Sequence, residues 1–314
     1  MLSRRWVVYG VALSLIALAA ILAALGVGEV AGRLSDWQAF TLGAVQGVTE
    51  LLPISSSGHL IIVPWIMNWH YLETHDAFNK TFDVALHLGT LVAVVAYFWR
   101  DVVALTIAAF RSLAKRRLDT DEERLVWYVL AASVPAAIAG ALGEHAFESH
   151  FGEPWQIAIF LALFGVLLYI ADRRPQAKEI DQLTFREALT VGASEILALM
   201  PGVSRSGITI TTSRFLRVTR DGAARFSFLM LIPIVLGAVL YTGLKHVVLE
   251  PLPAGSKGPF LVGTIAAAGV GLIAIDALLG YVRRHNYTPF VIFRLLMAAA
   301  IVAVIASGYR GKNF

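Results

Sequence analysis

Cysteine is absent from the 314-residue chain, which excludes disulfides, thiolate nucleophiles and cysteine-ligated metals. Charge is scarce as well. Only 15% of residues are Asp, Glu, Lys or Arg, against about 25% in an ordinary soluble domain, so a typical cytosolic enzyme is not expected. Disorder is excluded in turn, because 57% of residues are apolar and the formal net charge is only +4. The apolar residues come in long blocks rather than alternating with polar ones, which is the pattern of a polytopic helical membrane protein.

Seven blocks are long enough to cross the hydrocarbon core as helices: 6–28, 82–103, 125–143, 155–171, 226–244, 260–280 and 289–307. The first is long for the apolar part of a secretory signal and reads as an extra span. Two shorter segments, 37–50 and 185–200, span roughly 21–24 Å as helices, too little for a core of about 30 Å. Each then meets a proline, Pro53 in LLPISSSGH and Pro201 in LMPGVSRSG. A helix that stops part-way and turns back is a re-entrant element, tolerated at depth only where it is buried in protein or lines a wet cavity. With the N-terminus inside, 18 basic residues fall on the cytoplasmic side and 6 outside, while Arg205 and Arg294 stay within the membrane. This obeys the positive-inside rule and accounts for the high pI without any nucleic-acid partner.

Shifting the chain by 149 residues lays Gly43 on Gly192, Ala44 on Ala193, Ser55 on Ser204, Ser57 on Ser206 and Gly58 on Gly207. Pro53 and Pro201 miss by one position. The assigned topology sends the two short segments in from opposite faces, so the expected fold is all-α: about seven transmembrane helices plus two re-entrant helix–loop elements in an inverted repeat. The expected divisions are an extra N-terminal helix over 1–35, a first repeat over 36–171 and a second over 172–314.

Polar groups at membrane depth are costly and usually functional. Gln46 and Glu50 share one helix face at i, i+4, and Glu50 suits a metal ligand or a general base. Ser55, Ser56 and Ser57, followed by Gly58 and His59, open a new helix after the break. They offer hydroxyls, free backbone N–H groups and a ring that titrates near neutrality. At the other tip, Arg205 brings a fork that fits phosphate oxygens, with Ser204, Ser206 and Thr209 as further donors. The blander reading of Arg205 is a structural pair with Glu50 or Glu195. Asp276 and Arg294 are expected to form a buried ion pair. Asp83 and His87 lie on a span near the outer face, within reach of the site. His70, His75, His145, His150, His246 and His285 are expected in surface loops. Clamps for phosphate oxygens, a base and a candidate nucleophile at bilayer depth suit phosphoryl transfer on a lipid-linked phosphate.

Over about residues 36–310, and most densely at QGVTELLPISSSGH and PGVSRSGITITTSRFLR, the sequence resembles the bacitracin-resistance family of undecaprenyl-diphosphate phosphatases. The resemblance implies hydrolysis of undecaprenyl diphosphate to the monophosphate and phosphate, recycling the lipid carrier of cell-wall synthesis. It implies a polyprenyl diphosphate and membrane lipids as partners and leaves self-association open. It also implies a bacterial cytoplasmic membrane location with the site facing outward, and a divalent cation, Mg²⁺ or Ca²⁺. Carried over by motif position, Glu50, Ser56, His59 and Arg205 are the expected catalytic groups. Ser55, Ser57, Ser204, Arg205, Ser206 and Thr209 are the expected phosphate binders, and Gln46 and Glu50 the metal ligands. Glutamine at position 46 departs from a two-carboxylate pair, and His87 stands where relatives are expected to carry glutamine. The alternative function is an inverted-repeat transporter or lipid flippase. The type 2 phosphatidate phosphatase pattern is set aside, because Thr211 stands where that pattern needs histidine and Leu167 where it needs lysine.

Overall fold

The computed structural model describes residues 4–26, 34–69, 77–243 and 255–312, with backbone only at 4, 77, 144–149 and 243. His70, His75 and His246, and the outer-side cations Arg33 and Lys245, lie outside the described residues. The elements are all helical: α1 (Arg4–Leu25), α2 (Asp36–Thr49), α3 (Ser56–Met67), α4 (Ala77–Tyr97), α5 (Trp99–Lys115), α6 (Asp121–Phe151), α7 (Pro154–Asp172), α8 (Phe185–Glu195), α9 (Arg205–Phe215), α10 (Arg220–Gly243), α11 (Lys257–Val282) and α12 (Thr288–Ala306). Among the described residues, extended pairing is limited to one bridge between Lys178 and Val218. Among the described residues, seven helices (α1, α4, α6, α7, α10, α11 and α12) are long and apolar enough to cross a membrane. The chain is an all-α, multi-pass membrane protein. Its outward side chains include Trp6, Leu13, Leu142, Leu240 and Leu296, all largely exposed, as a lipid-facing surface requires.

Three boundaries differ from expectation. The block at 82–103 is not one span: α4 stops at Tyr97, and Trp99 opens α5. That helix carries Arg100, Asp101, Arg111 and Lys115 beside the exposed apolar residues Val103, Ile107 and Phe110, the amphipathic composition of a helix lying along an interface. The segment 185–200 is α-helical only to Glu195 and then tightens into a 3₁₀ turn over Ile196–Leu199. Met200 is extended, as a residue preceding proline prefers. Helix α6 continues to Phe151, so His145 and His150 belong to a helix rather than a loop. His285 follows α11 and stacks on Tyr281 at 4.6 Å.

The two short first helices begin alike. Ser35 caps α2 in a reciprocal box with Gln38, and Thr184 caps α8 in the same way with Glu187. Serine or threonine with Gln or Glu three positions on satisfies two orphan N–H groups at once. Both helices then dock through a glycine. A methyl group on Gly43 would sit 2.3 Å from the carbonyl oxygen of Gly263 in α11, and one on Gly192 would sit 1.9 Å from that of Ala132 in α6. Such backbone-to-backbone approach is how small residues pack membrane helices.

The expected Asp276–Arg294 pair is not formed. Asp276 accepts instead from Arg5 Nε at 2.9 Å, the Tyr9 hydroxyl at 3.0 Å and the Tyr97 hydroxyl at 3.2 Å. Arg5 and Tyr9 fasten α1, and Tyr97 fastens α4, onto α11, so the carboxylate is already satisfied. At the same end, Asp172 accepts from Arg220 Nε at 2.6 Å and the Tyr287 backbone N–H at 2.9 Å. The wholly buried Arg214 donates to the carbonyls of Val218 and Arg174. This polar knot sets where α9, α10 and α12 start or stop.

The glycine dock yields a stability prediction. Gly192→Ala places a methyl against backbone that has no flexible atom to yield, and should destabilise by about 1–3 kcal/mol. Gly237→Ala meets nothing within 4 Å and should hold or slightly raise the melting temperature. Thermal unfolding followed by fluorescence-detected size exclusion compares the two; equal melting curves would refute the packing role of Gly192.

Candidate active site

Two broken helix pairs, α2–α3 and α8–α9, bring their turns together. The second helix of each starts from a serine in left-handed backbone, Ser55 at φ 79° and Ser204 at φ 76°. A non-glycine residue there is strained. Each serine recovers part of that cost as an N-cap: Ser55 Oγ accepts from the Gly58 N–H at 3.3 Å and Ser204 Oγ from the Gly207 N–H at 3.0 Å. The extra residue between Pro201 and Ser204 is absorbed by Gly202, whose φ of +101° no β-carbon would accept easily.

The turns are stitched to each other. The Gly202 N–H donates to Ser55 Oγ at 3.1 Å, and Ser206 Oγ donates to the Leu52 carbonyl at 3.0 Å. Arg294, fully buried on α12, spans both. It donates through Nη1 to the Pro53 carbonyl at 3.2 Å and through Nη2 to those of Gly202 at 2.9 Å and Val203 at 3.0 Å. Its Nε and Nη2 also reach the Leu161 and Phe160 carbonyls of α7. The guanidinium is thus taken up by carbonyls of the two turns and of α7, which is why it takes no carboxylate partner.

Glu50, at the end of α2, is the hub of the polar cluster. Its Oε1 accepts from Arg205 Nε at 3.1 Å. Its Oε2 accepts from the Ser56 hydroxyl at 2.5 Å and from Gln46 Nε2 at 3.3 Å. His87 Nε2 stands 3.5 Å from the same oxygen and attracts it only when protonated. One carboxylate therefore links a residue of each pair with a side chain of α4. Arg205 is steadied by Nη1 on the Ser227 carbonyl at 2.8 Å, while Nη2 is buried without a partner. Thr209 Oγ1 bonds the Arg205 carbonyl and Ser227 Oγ, both at 2.8 Å.

His59 lies three residues after Ser56, on the first turn of α3. Its Nδ1 is 2.7 Å from the Ser55 carbonyl, which can only accept, so Nδ1 carries the hydrogen. Its Nε2 is then the free lone pair in the neutral ring, buried and without a partner, and the ring stacks on Phe293 at 5.6 Å.

Of the residues singled out from sequence, Gln46, Glu50, Ser56 and Arg205 converge directly. Ser55, Ser204 and Ser206 are occupied in building and joining the turns. Ser57 is half-buried on the first turn of α3, and none of the described hydrogen bonds ties it to the cluster. Asp83 sits one turn before His87, and its carbonyl oxygen lies 2.7 Å from His87 Nδ1. The sequence reading missed Ser227 and misassigned Arg294. A lone arginine in an otherwise apolar span, with no carboxylate of its own, was the signal for a carbonyl clip.

The donor set bears on the implied cation. Among the described residues, no three of His, Asp and Glu gather as an all-protein metal cage. Glu50 with the unpartnered amide oxygen of Gln46 does suit a hard divalent ion that draws its remaining ligands from phosphate oxygens and water.

The family model described as bacitracin resistance protein BacA matches residues 39–300. A protein of Pelobacter propionicus named undecaprenyl-diphosphatase is 46% identical over 275 residues, covering 87% of this chain and 98% of that one. A protein of the same name from Moorella thermoacetica is 47% identical over 268 residues, covering 85% and 97% respectively.

The clip makes a prediction of its own. Arg294→Met keeps much of the apolar stem but strands several buried carbonyls, and should cost about 3 kcal/mol or more. Arg294→Lys, with fewer donors and no fork, should recover only part of the loss. Melting temperature and proteolytic sensitivity of the two broken turns report the effect; wild-type stability of Arg294→Met would contradict it.

Proposed function

The chain belongs to the BacA bacitracin-resistance family, and from that premise we propose that its polar cluster hydrolyses undecaprenyl diphosphate to undecaprenyl phosphate and phosphate, recycling the lipid carrier of cell-wall synthesis. The observation that carries this reading is Glu50 held between Arg205 and Ser56. It sets a phosphate-binding cation beside a hydroxyl whose proton already has an acceptor.

In this mechanism Arg205 binds non-bridging oxygens of the diphosphate with its fork, and its unpartnered Nη2 is available for that contact. Ser56 Oγ attacks the terminal phosphorus as its proton passes to Glu50. The bond from phosphorus to the bridging oxygen breaks, and undecaprenyl phosphate leaves. His59 Nε2 then takes a proton from the water that releases phosphate from the serine. Ser204, Ser206 and Thr209 hold the turn that carries Arg205, and Ser55 and Ser57 line the opposite turn. A divalent cation, Mg²⁺ or Ca²⁺, held by Glu50 and Gln46 when bound, supplies further positive charge to the phosphate oxygens.

The two broken pairs are read as re-entrant elements of an inverted repeat, 36–171 and 172–314, with α1 as an addition before them. Matching serine caps, strained φ values and glycine docks in the two halves support this reading. The 18-to-6 distribution of basic residues supports an N-terminus inside a bacterial cytoplasmic membrane and a site opening away from the cytoplasm.

Purified protein in detergent should release phosphate from a polyprenyl diphosphate, and chelator should suppress the release. Detergent abolishes transport, so phosphate release separates a hydrolase from a transporter or flippase. Arg205→Ala should lower turnover by about 10²–10³-fold while the protein still elutes as a single folded species; near-wild-type turnover would refute the clamp. Rapid quench with substrate labelled in the terminal phosphate should trap labelled protein in the wild type and none in Ser56→Ala. Absence of label in both would assign the attack to water.

A further inference from the structure

Glu195 is a buried carboxylate near the cluster that the mechanism does not use. It ends α8, is 3% exposed, and neither carboxylate oxygen has a hydrogen-bond partner. It stands close enough for the charges of both Arg205 and Glu50 to act on it. Neither arginine of the site is committed to it: Arg205 Nε faces Glu50, and Arg294 is spent on carbonyls.

Its place in the sequence is informative. The 149-residue shift that lays Ser55 on Ser204 also lays Gln46 on Glu195. Both sit in the last turn of the first helix of their own broken pair. Both present buried, unpartnered oxygens, Oε1 of Gln46 and the two carboxylate oxygens of Glu195. A carboxylate in such surroundings is strongly disfavoured without a counter-charge. An arriving diphosphate makes the imbalance worse, since it adds more negative charge than Arg205 alone offsets.

We propose that Glu195 is the second acidic ligand of the divalent cation, supplying from the second half of the fold the carboxylate that glutamine at position 46 lacks in the first. This rests on the hydrolase reading and extends its site by a residue. A hard cation accepts carboxylate and amide oxygens together with phosphate oxygens and water, so Glu195, Gln46 and Glu50 form a mixed set divided between the two halves.

Direct Mn²⁺ binding to chelator-stripped protein, read from the electron paramagnetic resonance signal of the free ion, tests this apart from turnover. Glu195→Gln should bind Mn²⁺ about tenfold more weakly or worse. The double variant Gln46→Glu/Glu195→Gln should regain binding, because it restores the carboxylate at the mate position. Unchanged affinity in Glu195→Gln would overturn the proposal, as would a wild type that binds no Mn²⁺. The double variant also guards against misfolding: it keeps the native carboxylate count, so failure to bind while eluting as a single folded peak overturns the idea by itself. Phosphate release by the wild type, measured in parallel, reports on the hydrolase reading separately.

Discussion

A helix that breaks inside a membrane leaves carbonyls that neither water nor the next turn can satisfy, and everything at this site depends on how they are satisfied. One guanidinium does most of it. Arg294 donates to carbonyls of Pro53, Gly202, Val203, Leu161 and Phe160. It thereby ties both breaks to α7 from its position on α12. In a medium where each unsatisfied group costs several kcal/mol, this sets the separation of the two turns and hence the distance from Arg205 to Glu50. The short bonds from Gly202 to Ser55 and from Ser206 to Leu52 complete the joint. Ser55, Ser204 and Ser206, expected from the sequence to bind phosphate, are therefore first of all structural.

The two halves share a framework and diverge in chemistry. Ser56 and Arg205 are mates under the same shift that relates the caps, and each is the first residue of its helix after the strained serine. Equivalent backbone positions thus carry a hydroxyl in one half and a cation in the other, aimed at opposite oxygens of one carboxylate. Equivalent backbone positions bring the two groups together, and the side chains they carry differ in charge. Positive φ at Ser55 and Ser204 follows from the same need. The chain must reverse sharply enough for the first residue of the new helix to look back at the end of the old one.

Much of this was legible in the residues. The seven crossing helices, the two short interrupted segments and the group Gln46, Glu50, Ser56 and Arg205 all follow from apolar length, proline position and polar residues at depth. What escaped was partner choice. Asp276 and Arg294 looked like a pair because opposite charges at similar depth attract. Yet Asp276 takes its donors from α1 and Tyr97, and Arg294 meets carbonyls whose need arises only from three-dimensional breaks. The continuous apolar run at 82–103 likewise concealed the change from spanning to interfacial helix at Phe98, because Val102 and Val103 suit either setting. His87 was placed near the site from its depth, but its approach to Glu50 depends on the rotation of α4, which periodicity alone does not fix.

In the proposed mechanism the Arg205–Glu50 contact orders substrate binding before attack. A buried ion pair returns little net stability, since desolvation of both charges offsets their attraction. It is therefore easily exchanged for a partner of equal charge. A diphosphate reaching Arg205 is such a partner, and it binds the fork through two oxygens where Glu50 uses one. As the guanidinium turns toward phosphate, Glu50 loses the cation that made it a poor base while keeping the Ser56 hydroxyl at 2.5 Å. In that proposal, substrate binding and activation of the Ser56 hydroxyl are a single electrostatic exchange. Before the lipid head group arrives, the arginine restrains the carboxylate, and water entering alone brings no negative charge to displace it.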